Sequence, residues 1–287
     1  YTHSASMPRL GEEPFKTRHQ SGLIVPGRVD ILGAGLSGLS AATILARNGY
    51  DVHVHEVRQD SGARFDGDFQ GIENWTSDVD FFEEMRQWGL DPDEFKSDAF
   101  SIVDLIHPDD EITNPITDGV AFRVVERGTD EHCIDQGFKR MALDAGATIH
   151  YGTRKEPNEC QIIAAGPKDS SAVAFGEIFH TDHENIVAFQ LNDKLAPGAY
   201  SYLIIIDGIG LICTCLWRQQ KKSGRYLNET IAWYEEHYEL NRKPIKRVGH
   251  SRMTSGISID SYYGRAFSPR KPIVMVQEAI PQTVVVP

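Results

Sequence analysis

Apolar residues in this chain fall into short runs punctuated by glycine, with helical spacing between several of them. Val29 to Leu32 predicts a buried strand, which runs into Gly33-Ala-Gly35-Leu-Ser-Gly38. Leu39 to Asn48 is rich in Ala and Leu and predicts a helix, stopped where Gly49 can adopt the left-handed conformation. Val52 to His55 predicts a second strand that ends at Glu56. Over Asp78 to Gly89 the residues Val79, Phe82, Met85 and Trp88 form one apolar stripe, expected to face the core. Phe100 to Ile106 predicts a strand, Pro108-Asp-Asp a turn with Glu111 to Ile116 returning, and Val120 to Val125 another strand. Glu131 to Ala145 predicts a helix with Ile134, Phe138 and Met141 on one face, stopped by Gly146 and followed by a strand, Ala147 to His150. Gln161 to Gly166 is a short apolar strand that ends in glycine.

The second half reads as β structure: Ser171 to His180, Ile186 to Gln190, Tyr200 to Ile206 and Leu211 to Trp217. A polar helix follows, Tyr226 to Leu240, with Ile231, Tyr234 and Tyr238 as its spine. Val248 to Ser258 contains one or two strands, and Pro272 to Val276 is a last apolar strand. Tyr200 to Trp217 is long and apolar enough to test as a membrane span. Asp207, Gly208 and Gly210 interrupt it and β-branched Ile is frequent, so two buried strands joined at Asp207-Gly208 fit better. A strand–helix–strand opening, a run of strands and a return to a buried strand predict an α/β chain with one domain inserted into the other.

The opening unit carries chemistry. Gly33 makes the tight turn after the strand, Gly35 lets backbone approach a pyrophosphate, and Gly38 lets helix and strand pack closely. The helix N-terminus offers N–H groups and partial positive charge to phosphates. Glu56 follows Gly33 by 23 residues, accepts hydrogen bonds from ribose hydroxyls and disfavours a 2′-phosphate. The framed turn therefore predicts a dinucleotide site. From Val57 to Trp75, glycines mixed with Arg58 and Arg64 suggest backbone wrapped round an anionic ligand.

Bulk properties narrow the alternatives. The net charge of −12 argues against a general nucleic-acid binder. Four cysteines, Cys133, Cys160, Cys213 and Cys215, form no disulfide or zinc framework, which predicts a reducing, cytoplasmic setting. Tyr1 to Gly27 reads as a tail without a secretory signal. His53 and His55 share a strand face, but further ligands for a metal are not evident, and no metal site is expected. Cys213 and Cys215 share another face and read as buried small side chains. Arg218, Lys221, Lys222 and Arg225 read as a solvated turn, and no Ser-His-Asp elbow for hydrolysis is present.

These motifs resemble the geranylgeranyl reductase-like FAD-dependent oxidoreductases of the flavoprotein monooxygenase-like superfamily. The likeness rests on the Gly33–Glu56 unit, on Arg58 with Gly62-Ala-Arg64-Phe65-Asp-Gly-Asp-Phe-Gln-Gly71, on Ile162-Ile-Ala-Ala-Gly166-Pro167, and on Arg127-Gly128 followed by Ile134-Asp135. It implies a Rossmann-like FAD-binding domain (28–75, 115–170 and 270–287) with an inserted antiparallel β-sheet substrate domain (76–114 and 171–269), after a tail, 1–27. It also implies FAD contacts from Gly33, Gly35, Leu36, Ser37, Gly38, Glu56, Val57, Arg58, Arg64, Arg127, Ala165 and Gly166. Pro197-Gly-Ala-Tyr200-Ser-Tyr202 is similar to the family's P-x-x-Y-x-W-x-F-P segment, with Tyr202 at the Trp position and no final F-P, which implies substrate contacts from Tyr200 and Tyr202. The implied activity is reduction of a carbon–carbon double bond in a hydrophobic, isoprenoid-like substrate, with NAD(P)H or a reduced carrier as electron donor. A flavin hydroxylase and a catalytically silent fragment are the alternatives. No catalytic side chain is identifiable, and neither a nucleic-acid partner nor a membrane span is expected. The end of the chain departs from the family: Gln277 stands where a glycine is usual, and Pro281, Val284-Val-Val286 and Pro287 replace a helix. That departure predicts weak FAD retention and self-association.

Overall fold

A computed structural model describes residues 27–65, 67–74, 79–114, 119–166 and 172–253, and the backbone of a strand at 274–275. In chain order the elements are β1 (Arg28–Leu32), α1 (Leu36–Arg47), β2 (Asp51–His55), β3 (Asp68–Glu73), α2 (Phe81–Gln87), β4 (Ser97–Phe100), β5 (Asp104–Ile106), β6 (Ile112–Thr113) and β7 (Phe122–Arg127). Then follow α3 (Ile134–Asp144), β8 (Thr148–His150), β9 (Ile162–Ile163), β10 (Ala172–His180), β11 (Ile186–Gln190), β12 (Ser201–Ile206), β13 (Ile209–Leu216), α4 (Ser223–Tyr238), β14 (Lys243–Met253) and β15 (Val274–Met275).

Among the described residues these strands form three sheets. The first is wholly parallel, in the order β15-β9-β1-β2-β8. Ile31, Val52 and Val54 pack against Leu36, Leu39 and Ala42 of α1 and Phe138 and Met141 of α3. Helix α1 ends where expected: Asn48 Nδ2 donates to Ile44 O, and Gly49 turns at φ +83°. The second sheet has three strands, β3-β7-β4, all antiparallel. Its Ile72 and Val125 join the core of the parallel sheet, while Phe69, Phe122 and Val124 face the third sheet. It is thus the layer between the two halves of the molecule.

The third sheet runs β14-β10-β13-β12-β11-β5-β6, and successive residues of β12 and β13 face opposite sides of it. Leu203, Ile205 and Ile212 meet Leu227, Ile231 and Tyr234 of α4 on one face. Ile204, Leu211, Tyr200 and Tyr202 meet the middle layer on the other. The apolar run that could have been a span is the hairpin β12–β13, and Asp207 (φ +51°) and Gly208 (φ +79°) form its two-residue turn. Both left-handed conformations match the hairpin turn that follows strand twist. No helix among the described residues is long and apolar enough to cross a membrane.

Four expectations are corrected by the fold. The stripe over Asp78 to Gly89 is half right: Phe82 and Met85 are buried, but Val79 and Trp88 are 40% and 49% exposed. Helix α2 is seven residues long, so both lie beyond its ends. Phe100 to Ile106 is not one strand. The chain leaves the middle layer after Phe100 and enters the third sheet at Asp104, because Phe100 pairs with β7 and Asp104 with β11. The glycine-rich stretch after Glu56 is loop only in its first part. Asp68–Glu73 is β3, with Gly71 needed because a Cβ there would stand 1.7 Å from the Phe122 ring. Strand β14 begins at Lys243, earlier than its apolar residues indicate. It is an edge strand, where Pro244, Lys246 and Arg247 are tolerated and discourage further pairing.

Candidate functional site

The parallel sheet reverses its winding at β1, which has β2 on one side and β9 on the other. In open parallel sheets ligands sit at the carboxyl ends of strands at such a point. The chain leaves β1 through Gly33, whose N–H donates to His55 O at 2.8 Å, while Ala164 N–H donates to Leu32 O at 2.7 Å. Gly33 is at φ +104°, and a Cβ on it would lie 2.4 Å from Ala164 O; a Cβ on Gly38 would lie 2.0 Å from Gly33 O. Two of the three glycines are therefore fixed by packing between β1, α1 and β9. The third, Gly35, is the N-cap of α1 in extended conformation, without a side-chain cap bond or an acid in the first turn. That helix end offers backbone N–H groups and the positive end of the dipole to an anion. Leu36 and Ser37 behind it are buried.

Glu56 is held in place at both oxygens. Oε2 accepts from Ala34 N at 3.1 Å and Oε1 from Arg58 N at 2.9 Å, tying the glycine turn to the segment after β2. Each carboxylate oxygen keeps a further lone pair for a ribose hydroxyl. Val57 and Arg58 are exposed beside it. After β9, Ala165 is exposed and Gly166 turns at φ +72°, with open space where a Cβ would stand. The capless helix end, the oriented carboxylate and the open glycine after β9 together fit an anionic dinucleotide.

Arg127 is placed differently from Arg58 and Arg64. Its side chain is 2% exposed and makes a two-pronged pair with Asp135, Nε to Oδ2 at 2.8 Å and Nη2 to Oδ1 at 2.9 Å. Nη1 donates to Gln70 Oε1 at 2.7 Å, and the guanidinium lies 4.0 Å from the centroid of the Phe65 ring. Arg127 thus braces β7 against α3 and β3. Arg64 is exposed, 4.5 Å from the same ring. The sequence did not single out Asp135 and Gln70 as its partners; a carboxylate in the first turn of the next helix was the available signal.

Tyr200 and Tyr202 line a cavity of about 80 Å³ between the middle layer and the third sheet, together with Phe69, Phe122, Phe189 and Ile204. Cys213 and Cys215 join them from β13, where Tyr202 pairs with Cys213. Burial pushes both phenols well above their ordinary values, and the hydrogen bond with Cys213, then burial, does the same to the Cys215 thiol. These groups stay protonated and neutral, so the cavity is apolar with hydroxyl and thiol donors. Cys213 and Cys215 were legible as a buried pair, but their place beside the two tyrosines was not.

The sheet face behind the dinucleotide turn gathers three histidines. His53 Nδ1 is 2.9 Å from His150 Nε2, His55 Nε2 is 2.7 Å from Asp30 Oδ1, and the His150 ring stacks on both. His150, from β8, is the member that sequence spacing did not bring to His53 and His55. Farther along, Glu126, His132 and the buried Cys133 converge, and burial with the Glu126 charge pushes the Cys133 thiol up to about 12.

Comparison with known proteins bears on the fold that carries this geometry. Residues 31–70 match the NAD(P)-binding Rossmann-like domain family. Hydroxysqualene dehydroxylase of Sinorhizobium fredii (strain NBRC 101917 / NGR234) is 46% identical over 54 residues, 19% of this chain and 13% of that protein. The enzyme of the same name from Rhodopseudomonas palustris (strain ATCC BAA-98 / CGA009) is 58% identical over 36 residues, 12% of this chain and 9% of that one. The matched segments thus span a small part of both relatives. Among solved structures, a geranylgeranyl bacteriochlorophyll reductase-like protein from Thermoplasma acidophilum superposes with TM-score 0.62 at 16% identity, covering 89% of this chain and 72% of that one. For 2-methyl-3-hydroxypyridine-5-carboxylic acid oxygenase the TM-score is 0.53 at 13% identity, over 88% and 75%. A flavoprotein/dehydrogenase from Cytophaga hutchinsonii gives 0.54 at 12%, over 88% and 71%. The chain has the α/β fold of FAD-dependent oxidoreductases, and the expected resemblance to reductase-like and monooxygenase-like flavoproteins is borne out in the fold.

Proposed function

We propose that the chain is an FAD-dependent oxidoreductase that reduces carbon–carbon double bonds of a hydrophobic, isoprenoid-like substrate. The observation that carries this reading is the pairing of a dinucleotide turn on one sheet with an apolar cavity between the other two. When bound, the flavin supplies the hydride chemistry. The residues of the chain bind and orient. The α1 N-terminus and the Gly33–Gly38 turn take the pyrophosphate, Glu56 takes the adenosine ribose, and Arg58 and Arg64 add positive charge nearby. Ala165 and Gly166 let backbone come close to the ADP half. Tyr200 and Tyr202 bound the substrate side and help exclude water.

The cavity volume limits what is enclosed. At about 80 Å³ it is smaller than the ~150 Å³ engineered cavity that admits benzene, so it holds the tip of an apolar chain, with the rest reaching outward. Geranylgeranyl and hydroxysqualene, in the names of the similar proteins, are both isoprenoid, which supports this substrate class. The electron donor is NAD(P)H or a reduced carrier acting from outside. The expectations of weak FAD retention and self-association rest on residues 277–287, which lie outside the described residues.

Titration of the purified protein with FAD, followed by visible absorbance, tests the reading. One flavin per chain is expected, and Gly35→Val should abolish it by blocking the pyrophosphate. Equal binding by the variant would move the site elsewhere. With flavin bound, substrate-dependent oxygen uptake would assign hydroxylase chemistry instead, and failure to bind flavin would leave a silent fragment.

A further inference from the structure

The loop between β7 and α3 brings together a carboxylate, an imidazole and a thiol. Glu126 comes from the end of β7, His132 from the loop, and Cys133 is the N-cap of α3. One ligand atom from each lies within 4.8 Å of the other two, and Glu126 Oε2 is 2.8 Å from His132 Nε2. We propose that Glu126, His132 and Cys133 form a site for a zinc-type divalent cation, with a fourth position open to water.

The local structure is built round these groups. Cys133 N–H donates to Asp130 O and Lys96 N–H to His132 O, both at 2.9 Å, which fixes the backbone of the two adjacent ligands. Helix N-caps usually use a side-chain oxygen to hold the first turn. Cys133 makes no such bond, and its thiol lies with Glu126 and His132 instead. Two glycines border the cluster. A Cβ on Gly67 would stand 3.0 Å from Glu126 Oε1, and one on Gly128 would stand 3.5 Å from Cys133 Sγ. Both sit at positive φ, +87° and +149°. Thiolate, imidazole and carboxylate together suit zinc, and three protein ligands with an open position is a known zinc arrangement. Metal–ligand bonds of about 2.1 Å in tetrahedral geometry place two ligand atoms roughly 3.4 Å apart, so His132 need retreat only slightly from Glu126. Its side chain is 47% exposed, free to move and open to entry of the ion. Cys133 is fully buried, so the ion would tie the exposed loop to the core. It would also lock the junction that Arg127 and Asp135 already brace.

The test uses the full chain, stripped with chelator and dialysed against Zn²⁺ or Co²⁺ alone, without flavin. One ion per chain is expected, with a thiolate-to-cobalt absorption band and a rise in the thermal midpoint on adding Zn²⁺. Cys133→Ser should remove the band. His132→Ala, at an exposed position that leaves folding intact, should weaken Zn²⁺ binding by more than the ~10–100-fold typical of an outer-shell partner. Cys160→Ser should change neither. Absence of a bound ion in the parent chain, or binding that survives both His132→Ala and Cys133→Ser, would overturn the proposal.

Discussion

At the scale of single residues, arginine position cannot be read from the sequence as role. Arg58, Arg64 and Arg127 look equivalent in a glycine-rich context, yet Arg127 is enclosed with Asp135 and the other two are exposed. Removing one partner of a buried pair leaves the other charge without compensation. Arg127→Ala is expected to lower stability by about 3–5 kcal/mol, read from urea unfolding. A loss under about 1 kcal/mol, usual for an exposed pair, would show that the pair is not closed in solution. The glycines were legible for the opposite reason. Gly33 and Gly38 have neighbours within van der Waals distance that any side chain would strike, so their spacing records geometry directly.

At the scale of elements, period decided what could be read. Helices α1, α3 and α4 and the hairpin β12–β13 followed from apolar spacing and from Asp207-Gly208. Strand β3 did not, and β14 did only from Val248 onward, because glycine in one and Lys, Pro and Arg in the first half of the other mask the alternation. Strand β8 shows how pairing adds chemistry to an element. His150 is set opposite His55, with His53, Asp30 and Asp51 also facing that group. Burial first, then the charges of His55 and His53, hold the His150 imidazole below its ordinary value. As pH falls the unfolded chain takes up this proton first. The stability contributed by neutral His150 is therefore present above about 6.5 and is lost as pH falls through the lower folded value. Urea midpoints at pH 7.5 and 5.5 should fall further apart in the parent than in His150→Gln. Equal separations would rule out His150 as a contributor.

At the scale of the whole molecule, the order of layers was not legible, because it depends on contacts between segments far apart in sequence. Phe122 of β7 and Phe189 of β11 meet edge to face, centroids 5.2 Å apart, and join the middle layer to the third sheet. Phe122→Ala should cost about 3–5 kcal/mol and enlarge the cavity, measurable by denaturant unfolding and by increased uptake of a small apolar probe. Unchanged stability would mean that the two sheets do not depend on this contact. The strict alternation of β12 and β13 has a consequence of another kind. Tyr200, Tyr202, Cys213 and Cys215 border the cavity, while Leu203, Ile205 and Ile212 on the same two strands hold α4. Under the proposed function, substrate preference is thus written on the cavity face of one hairpin and the seat of α4 on the other, so a new specificity would be sought at Tyr202, Cys213 and Cys215 with the α4 contacts left unchanged.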